Sequence, residues 1–397
     1  MKNKLSLFTF IGLVLGIIFG LCFPTLAPAI KFIGTYYITI LKYMVVPVVV
    51  TTISVSIYNS TKLKSKLVPL TLLVFVLMFS ATFLLSSVIV TFINPSSGFV
   101  LQAVDWTGTT SELGIKGMLL NLIPKDLNKF LTGGYLFTAI LISIIIGYGC
   151  SKFSSGQKVV DVIEKIKNFL FKILGYYMYV TPFAVLALIS NTIVEYGPIV
   201  LGVGAKYILT AYICAIAALI VVMILPILLI TKMNPITFVK KVYKIWMITL
   251  STCSSAATLP YTIKTCHEEF GIPDEVTDVV VPLGTTIHMC GGAVSFALLG
   301  LFCSKLFGVE ITIGKYILML IYAILINMAA PGIPNGGVAI GATYLQLLGI
   351  PLDFIGFYSG IYKLLDMIYT SLNVTDDIAS NVIINYFNSK RKQWKEN

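Results

Sequence analysis

Four residues near the C-terminal end of the chain have the types and spacing to do chemistry together. Asp366, Thr370, Asn373 and Asp377 lie in the run Asp366-Met-Ile-Tyr-Thr-Ser-Leu-Asn-Val-Thr-Asp-Asp377. At about 100° per residue on a helix, they fall within about 60° of one another. Two carboxylates, an amide and a hydroxyl on one face offer hard oxygen ligands to a cation and hydrogen-bond partners to a polar solute. Apolar segments flank the stripe on both sides, at 354–365 and 378–387. Carboxylates in such surroundings are costly, so they face a protein interior or an aqueous cavity and mark a solute or ion path. Asp376 lies about 80° off the stripe and is given no role. Lys363, one turn earlier, is read as a salt-bridge partner or as a side chain snorkelling to an interface.

The elements that must hold this stripe are apolar helices. Of 397 residues, 57% are hydrophobic and 11% charged, whereas soluble domains carry about 25% charged residues. The chain reads as an all-α polytopic membrane protein in a lipid bilayer. Full spans are expected at 7–30, 36–58, 67–94, 134–150, 168–193 and 200–231. The first has a short positive lead but no small-residue cleavage site, so it reads as a retained helix and not a signal peptide. The net charge of +11 comes from lysines clustered in short loops, at 61–66, 152–167, 232–244 and 390–395, and not from a nucleic-acid-binding face. Under the positive-inside rule these loops and both termini are cytoplasmic, with a polar, Gly-rich outside loop at 95–133. The seven cysteines are scattered and odd in number, forming neither a disulfide framework nor a metal-spacing motif. The single arginine is Arg391, so no guanidinium fork stands in the membrane region to grip a carboxylate.

The second half is patterned differently. Two hydrophobic segments are interrupted by small and polar residues, at Ser251-Thr-Cys-Ser-Ser-Ala-Ala-Thr-Leu-Pro260 and Ala329-Ala-Pro-Gly-Ile-Pro-Asn-Gly-Gly337. Each has too little apolar sequence for two crossings, the signature of a re-entrant hairpin whose tip lines a protein cavity. A pair of interrupted segments points to a binding site near the midplane. A third break, Pro282-Leu-Gly-Thr-Thr-Ile-His-Met-Cys-Gly-Gly292, lies between them, and its glycines allow unwinding that would offer backbone carbonyls to a cation. In the first half, Tyr43-Met-Val-Val-Pro47 is faintly echoed by Tyr177-Met-Tyr-Val-Thr-Pro182, a hint of repeated units.

Together the serine-rich first hairpin, the Pro-Leu-Gly-x-Thr-Ile-x-Met helix, the Gly-Ile-Pro-x-Gly-Gly second hairpin and the Asn-Val-Thr-x-Asp last helix resemble the glutamate/aspartate-type family of cation-coupled amino acid and dicarboxylate transporters. The resemblance spans essentially the whole chain. It implies a homotrimer of protomers with eight transmembrane helices and two opposed re-entrant hairpins, working as an elevator. Residues 1–231 would supply most of the scaffold and trimer contacts, and 232–397 the core of the transport domain. Residue by residue, it implies that Ser254 and Ser255 hold a substrate carboxylate and that Gly332 and Pro334 form the tip of a gate. Asp366 would pair with the substrate amino group, with Thr370 beside it. Asn373 and Asp377, with the backbone of Gly284, would bind sodium as the coupling ion; no other cofactor is implied.

Two departures from the family pattern bear on cargo. Where acidic-substrate members carry an arginine on the last helix, this chain has Tyr369, which removes the charge complement for a second carboxylate. The family's Asn-Met-Asp-Gly-Thr motif reads His288-Met-Cys-Gly-Gly292, so a sodium-ligating aspartate is replaced by Cys290, and His288 becomes an additional proton site. The reading is a sodium-driven importer of a small neutral amino acid such as serine, threonine or alanine. Cystine, or an acidic amino acid or dicarboxylate with proton coupling, is the alternative. A substrate-binding sensor or channel on the same scaffold is the rival from another class. No nucleophile–base pair or metal motif suggests an enzyme.

Overall fold

The computed structural model describes residues 2–62, 67–97, 124–131, 135–328, 336–352 and 354–396, and every regular element among them is helical. Among the described residues three helices are long and apolar enough to cross a membrane: Val68–Ile93, Leu201–Thr231 and Asp274–Leu306. The pair Gly156–Tyr177 and Thr181–Glu195, bent by 57°, would be a fourth span. Large apolar side chains such as Leu77, Phe92, Ile145, Phe183 and Met247 stand exposed on the outside, as lipid-facing surfaces require. The protein is an all-helical, multi-pass membrane protein.

The expected span 7–30 is corrected by the structure. Its first helix, Lys2–Cys22, stops before Pro24, and a second begins at Ala27 and continues to Lys62. The intervening turn is as apolar as the helices it joins, so hydropathy does not register it. Gly12, Gly16 and Gly20 on the first helix face the helix Thr181–Tyr196. A Cβ at Gly16 or Gly20 would stand 2.8 or 2.7 Å from the carbonyl oxygens of Leu186 and Ser190, and one at Gly12 would overlap that of Pro182. Small residues at four-residue spacing let two backbones touch where lipid removes the hydrophobic drive for association.

The expected span 168–193 is also broken. Helix Gly156–Tyr177 gives way to a 3₁₀ turn at Met178–Val180, and Thr181–Tyr196 follows with Pro182 in its first turn, where the missing proline N–H costs nothing. The bend is held from outside. Tyr37 stacks on Tyr177 with ring centroids 5.2 Å apart, and its hydroxyl meets that of Thr181 at 2.7 Å. Pro47, by contrast, sits inside an unbroken helix, so the two echoed sequences have different local structures. The loop expected at 95–133 falls largely outside the described residues.

In the second half, the helices Pro235–Thr252 and Ser255–Glu268 meet at Cys253, whose φ of 47° turns the chain. Ile313–Asn327 and Gly336–Leu347 flank the second interruption, whose tip at 329–335 lies outside the described residues. These arms have 18, 14, 15 and 12 residues, all short of the roughly 20 needed to cross a bilayer. Between the two pairs run Asp274–Ile287 and Cys290–Leu306, separated by extended backbone at His288 and Met289. The last helix, Phe354–Glu396, has 43 residues and packs against both arms of the first pair and the second arm of the other. It also packs against both halves of the broken helix and against Thr181–Tyr196 and Ile199–Ala218. From 354 to 384 its side chains are buried or half-buried on every face wherever they are described.

Candidate functional site

All four residues of the stripe are buried, Asp377 completely. Asp366, Thr370 and Asn373 line a cavity together with Ser255, Tyr362 and Tyr369, closed on other sides by Ser295, Phe296 and Asn327. The Thr370 hydroxyl donates to Asp366 Oδ1 at 3.3 Å, one turn earlier on the same helix. The left-handed turn at Cys253 delivers the first serine pair to this place, but the two serines do different things. Ser255 faces the cavity, whereas the Ser254 hydroxyl accepts a hydrogen bond from Ala257 N at 3.2 Å and caps the helix. Such a cap satisfies one of the amides that a helix start leaves open. Tyr369 fills the wall opposite with its hydroxyl buried and lacking a hydrogen-bond partner among the described residues. Lys363, half-buried, lies one helical turn before Asp366 on the same helix. Gly332 and Pro334 lie outside the described residues.

Toward the other end of the stripe the groups become more ionic. A Cβ at Gly284 would overlap the Asp377 carboxylate, so the bare Cα of Gly284 is what lets that carboxylate reach the helix Asp274–Ile287. Thr285 donates to Asp377 Oδ2 at 3.4 Å, while Oδ1 has no hydrogen-bond partner among the described residues. The Gly284 carbonyl accepts from His288 N at 2.9 Å and keeps its second lone pair. Asn373 Oδ1 accepts from Gly291 N at 2.7 Å, capping the helix that restarts after the break. With its amide turned to satisfy both atoms, Asn327 bridges the backbone of Met289, donating to O at 3.2 Å and accepting from N at 3.1 Å. An interruption inside a membrane protein needs such partners, because no solvent reaches the freed backbone groups.

His288 stands at the break with its ring stacked on Phe75, centroids 4.1 Å apart. Its Nε2 lies 2.9 Å from Asp376 Oδ2 and its Nδ1 lies 3.9 Å from Asp377 Oδ1. Asp376, to which the helical wheel assigns no role, is completely buried. Its position off the stripe places it against His288 and not in the cavity. A helix enclosed on all sides has no solvent face, and a residue 80° off the stripe simply meets a different neighbour. Asn381, one turn beyond Asp377, is likewise buried and donates to the Thr277 hydroxyl at 3.0 Å; its signal was the i+4 step from Asp377.

The arrangement joins a polar cavity to a buried carboxylate with an unused oxygen, on an unbroken helix packed against one that breaks at His288 and Met289. A profile of the sodium:dicarboxylate symporter family matches residues 5–387.

The chain belongs to that family.

It is a membrane symporter and not an enzyme. Over 405 residues it is 26% identical to a proton/sodium-glutamate symport protein of Geobacillus stearothermophilus, covering 97% of this chain and 96% of the relative. A C4-dicarboxylate transport protein of Verminephrobacter eiseniae is 24% identical over 389 residues, 94% of this chain and 87% of its own. The human neutral amino acid transporter A is 25% identical over 297 residues, 74% of this chain and 56% of its own. Relatives named for three kinds of cargo thus stand at similar distances from this symporter.

Proposed function

We propose that the protein is a sodium-driven importer of a small neutral amino acid of the serine, threonine or alanine kind. The observation that carries this reading is Tyr369. It lines the cavity one residue before Thr370 and three after Asp366, where acidic-substrate members would need a guanidinium. A second carboxylate buried against a tyrosine ring leaves a charge without a partner, at a cost of several kcal/mol. Asp366 takes the substrate amino group, with Thr370 and Asn373 beside it. Ser254, Ser255 and the amides left open at the helix start take the carboxylate, and Gly332 and Pro334 close the gate. Asp377, the Gly284 carbonyl and Asn373 take the sodium ion, supported by the unused Asp377 Oδ1. His288 is an additional proton site.

The hairpin arms, too short to span, support two re-entrant hairpins moving as one body with the last helix. In this reading 232–397 forms the transport domain, 1–231 the scaffold, and three copies assemble in the cell membrane with eight transmembrane helices each and both termini cytoplasmic.

A second reading, import of an acidic amino acid or dicarboxylate, rests on Lys363. Its half-buried side chain is a cation within one helical turn of Asp366. A ligand-induced thermal shift of purified protein, in sodium and in choline, over neutral and acidic amino acids separates the two. Binding stabilises by mass action. A rise with serine, threonine or alanine in sodium alone supports the first reading; a rise with aspartate or glutamate alone replaces it with the second. Accumulation into proteoliposomes against a gradient distinguishes a transporter from a channel or sensor.

A further inference from the structure

Beside the sodium site lies a cluster that the stripe does not use. His288, Cys290 and Asp376 are all buried, and one ligand atom from each lies within 4.8 Å of the other two. His288 Nε2 is 2.9 Å from Asp376 Oδ2 and 3.6 Å from Cys290 Sγ. Bonds of about 2.0 Å to nitrogen and oxygen and about 2.3 Å to sulfur set tetrahedral ligand edges near 3.3–3.5 Å. The observed edges at Nε2 straddle that range. Asp376 Oδ1, His288 Nδ1 and Asp377 Oδ1 have no hydrogen-bond partner among the described residues. Nine-tenths-buried polar atoms without partners are uncommon and call for an occupant.

We propose that His288, Cys290 and Asp376 form a binding site for a borderline divalent cation of the zinc class, and that its occupancy shuts the neighbouring Asp377 site to sodium. The donor set decides the class of ion. One imidazole, one thiolate and one carboxylate suit zinc and its tetrahedral neighbours, whereas sodium, magnesium and calcium prefer all-oxygen shells. On binding, the Cys290 thiol releases its proton to solvent and the imidazole binds through Nε2. The three ligands come from both sides of the helix break and from the last helix, so the ion would staple those elements together. A narrow apolar cavity between Phe75, Phe79, Ile324 and Met328 reaches the His288 ring. The site's net charge would then rise by one unit, the dication offset by the Cys290 thiolate and the Asp376 carboxylate, beside Asp377, whose Oδ1 lies 3.9 Å from Nδ1 of the same ring. The competition with sodium rests on the assignment of Asp377 given above; the metal site itself does not.

Cobalt(II) reports on such a site directly, through a thiolate-to-metal charge-transfer band and the intense d–d bands of four-coordinate geometry. The full-length protein is titrated with Co²⁺, then with Zn²⁺ to displace it. One equivalent per chain is expected, with the charge-transfer band lost in C290S and apparent affinity reduced at least tenfold in D376N, while C266S keeps the band. No band in the wild type, or one that survives C290S, overturns the site. Should C290S fail to fold, C290A and D376N carry the same comparison. In a second measurement, the sodium-dependent thermal shift is read with and without Zn²⁺. A loss of the sodium response on zinc addition, restored by a chelator and retained in C290S, is expected. A full sodium response with cobalt demonstrably bound overturns the competition. A cobalt band with no sodium response in any condition would instead overturn the sodium assignment and leave the metal site standing.

Discussion

Nε2 of His288 lies 2.9 Å from Oδ2 of Asp376, both side chains being essentially inaccessible to solvent. The pair joins the point where one helix is interrupted to the middle of the longest helix in the chain. D376N keeps the shape and removes the charge, so it is expected to lower stability by about 1–3 kcal/mol, the penalty for leaving a buried polar group poorly matched. The double variant H288Q/D376N is expected to lose less than the sum of the single variants, because residues in contact are not additive. Thermal unfolding of the four proteins in detergent checks this; strict additivity would remove the pair from the account.

Gly284 provides a sharper test of the cation site. An alanine methyl there would overlap the Asp377 carboxylate, and overpacking of this kind costs typically 1–3 kcal/mol. G284A is expected to raise the sodium concentration needed for half-maximal uptake at least about tenfold, a change of ~1.4 kcal/mol. D377N should abolish sodium dependence altogether. Uptake measured across a sodium series in proteoliposomes distinguishes these outcomes, and an unchanged sodium dependence in D377N would exclude it as a ligand.

Tyr369 carries the choice of cargo. Y369R is expected to depress binding of neutral amino acids and to create binding of aspartate or glutamate, since the new guanidinium can pair with a side-chain carboxylate. Y369F, which removes only the buried hydroxyl, should leave alanine binding within a factor of about three while altering serine against alanine preference, as unpaired polar groups in a pocket discriminate by hydrogen bonding. Thermal-shift titrations with each amino acid read both effects.

Close packing in the first half can be tested apart from transport. G16L places a side chain where the Leu186 carbonyl now stands, and it is expected to destabilise the protein by more than the ~0.5 kcal/mol typical of exposed substitutions. A substitution at Gly314, where nothing lies within 4 Å of a Cβ, is the control. Equal melting temperatures for G16L and G314L would show that the helix contact contributes nothing.

Much of this was legible in residue spacing. The four-residue stripe from Asp366 to Asp377 required only the helical repeat, and the small polar interruptions near Ser254 marked a turn, seen at Cys253. Hydropathy failed where the connection itself was apolar, as at Phe23–Leu26, and where a bend used a 3₁₀ turn without glycine, at Met178–Val180. Pro24 and Pro182 were the signals available. Asp376 was set aside because a helical wheel has one privileged face only when the other faces solvent or lipid. Around 354–384 the protein encloses the helix completely, so angle along the wheel selects a neighbour and does not measure importance. The pairing of Gly284 with Asp377 came from the family resemblance and not from spacing, since nothing local relates residues so far apart in the chain.

The helix that bears the stripe runs without interruption from Phe354 to Glu396, about 65 Å at 1.5 Å per residue, roughly twice the thickness of the hydrocarbon core. Its basic end therefore projects well into the aqueous phase while remaining mechanically continuous with Asp366 and Asp377. A fluorophore or spin label attached near that end would act as the pointer on a rigid needle, reporting displacement of the buried carboxylates from a position where labelling disturbs none of them.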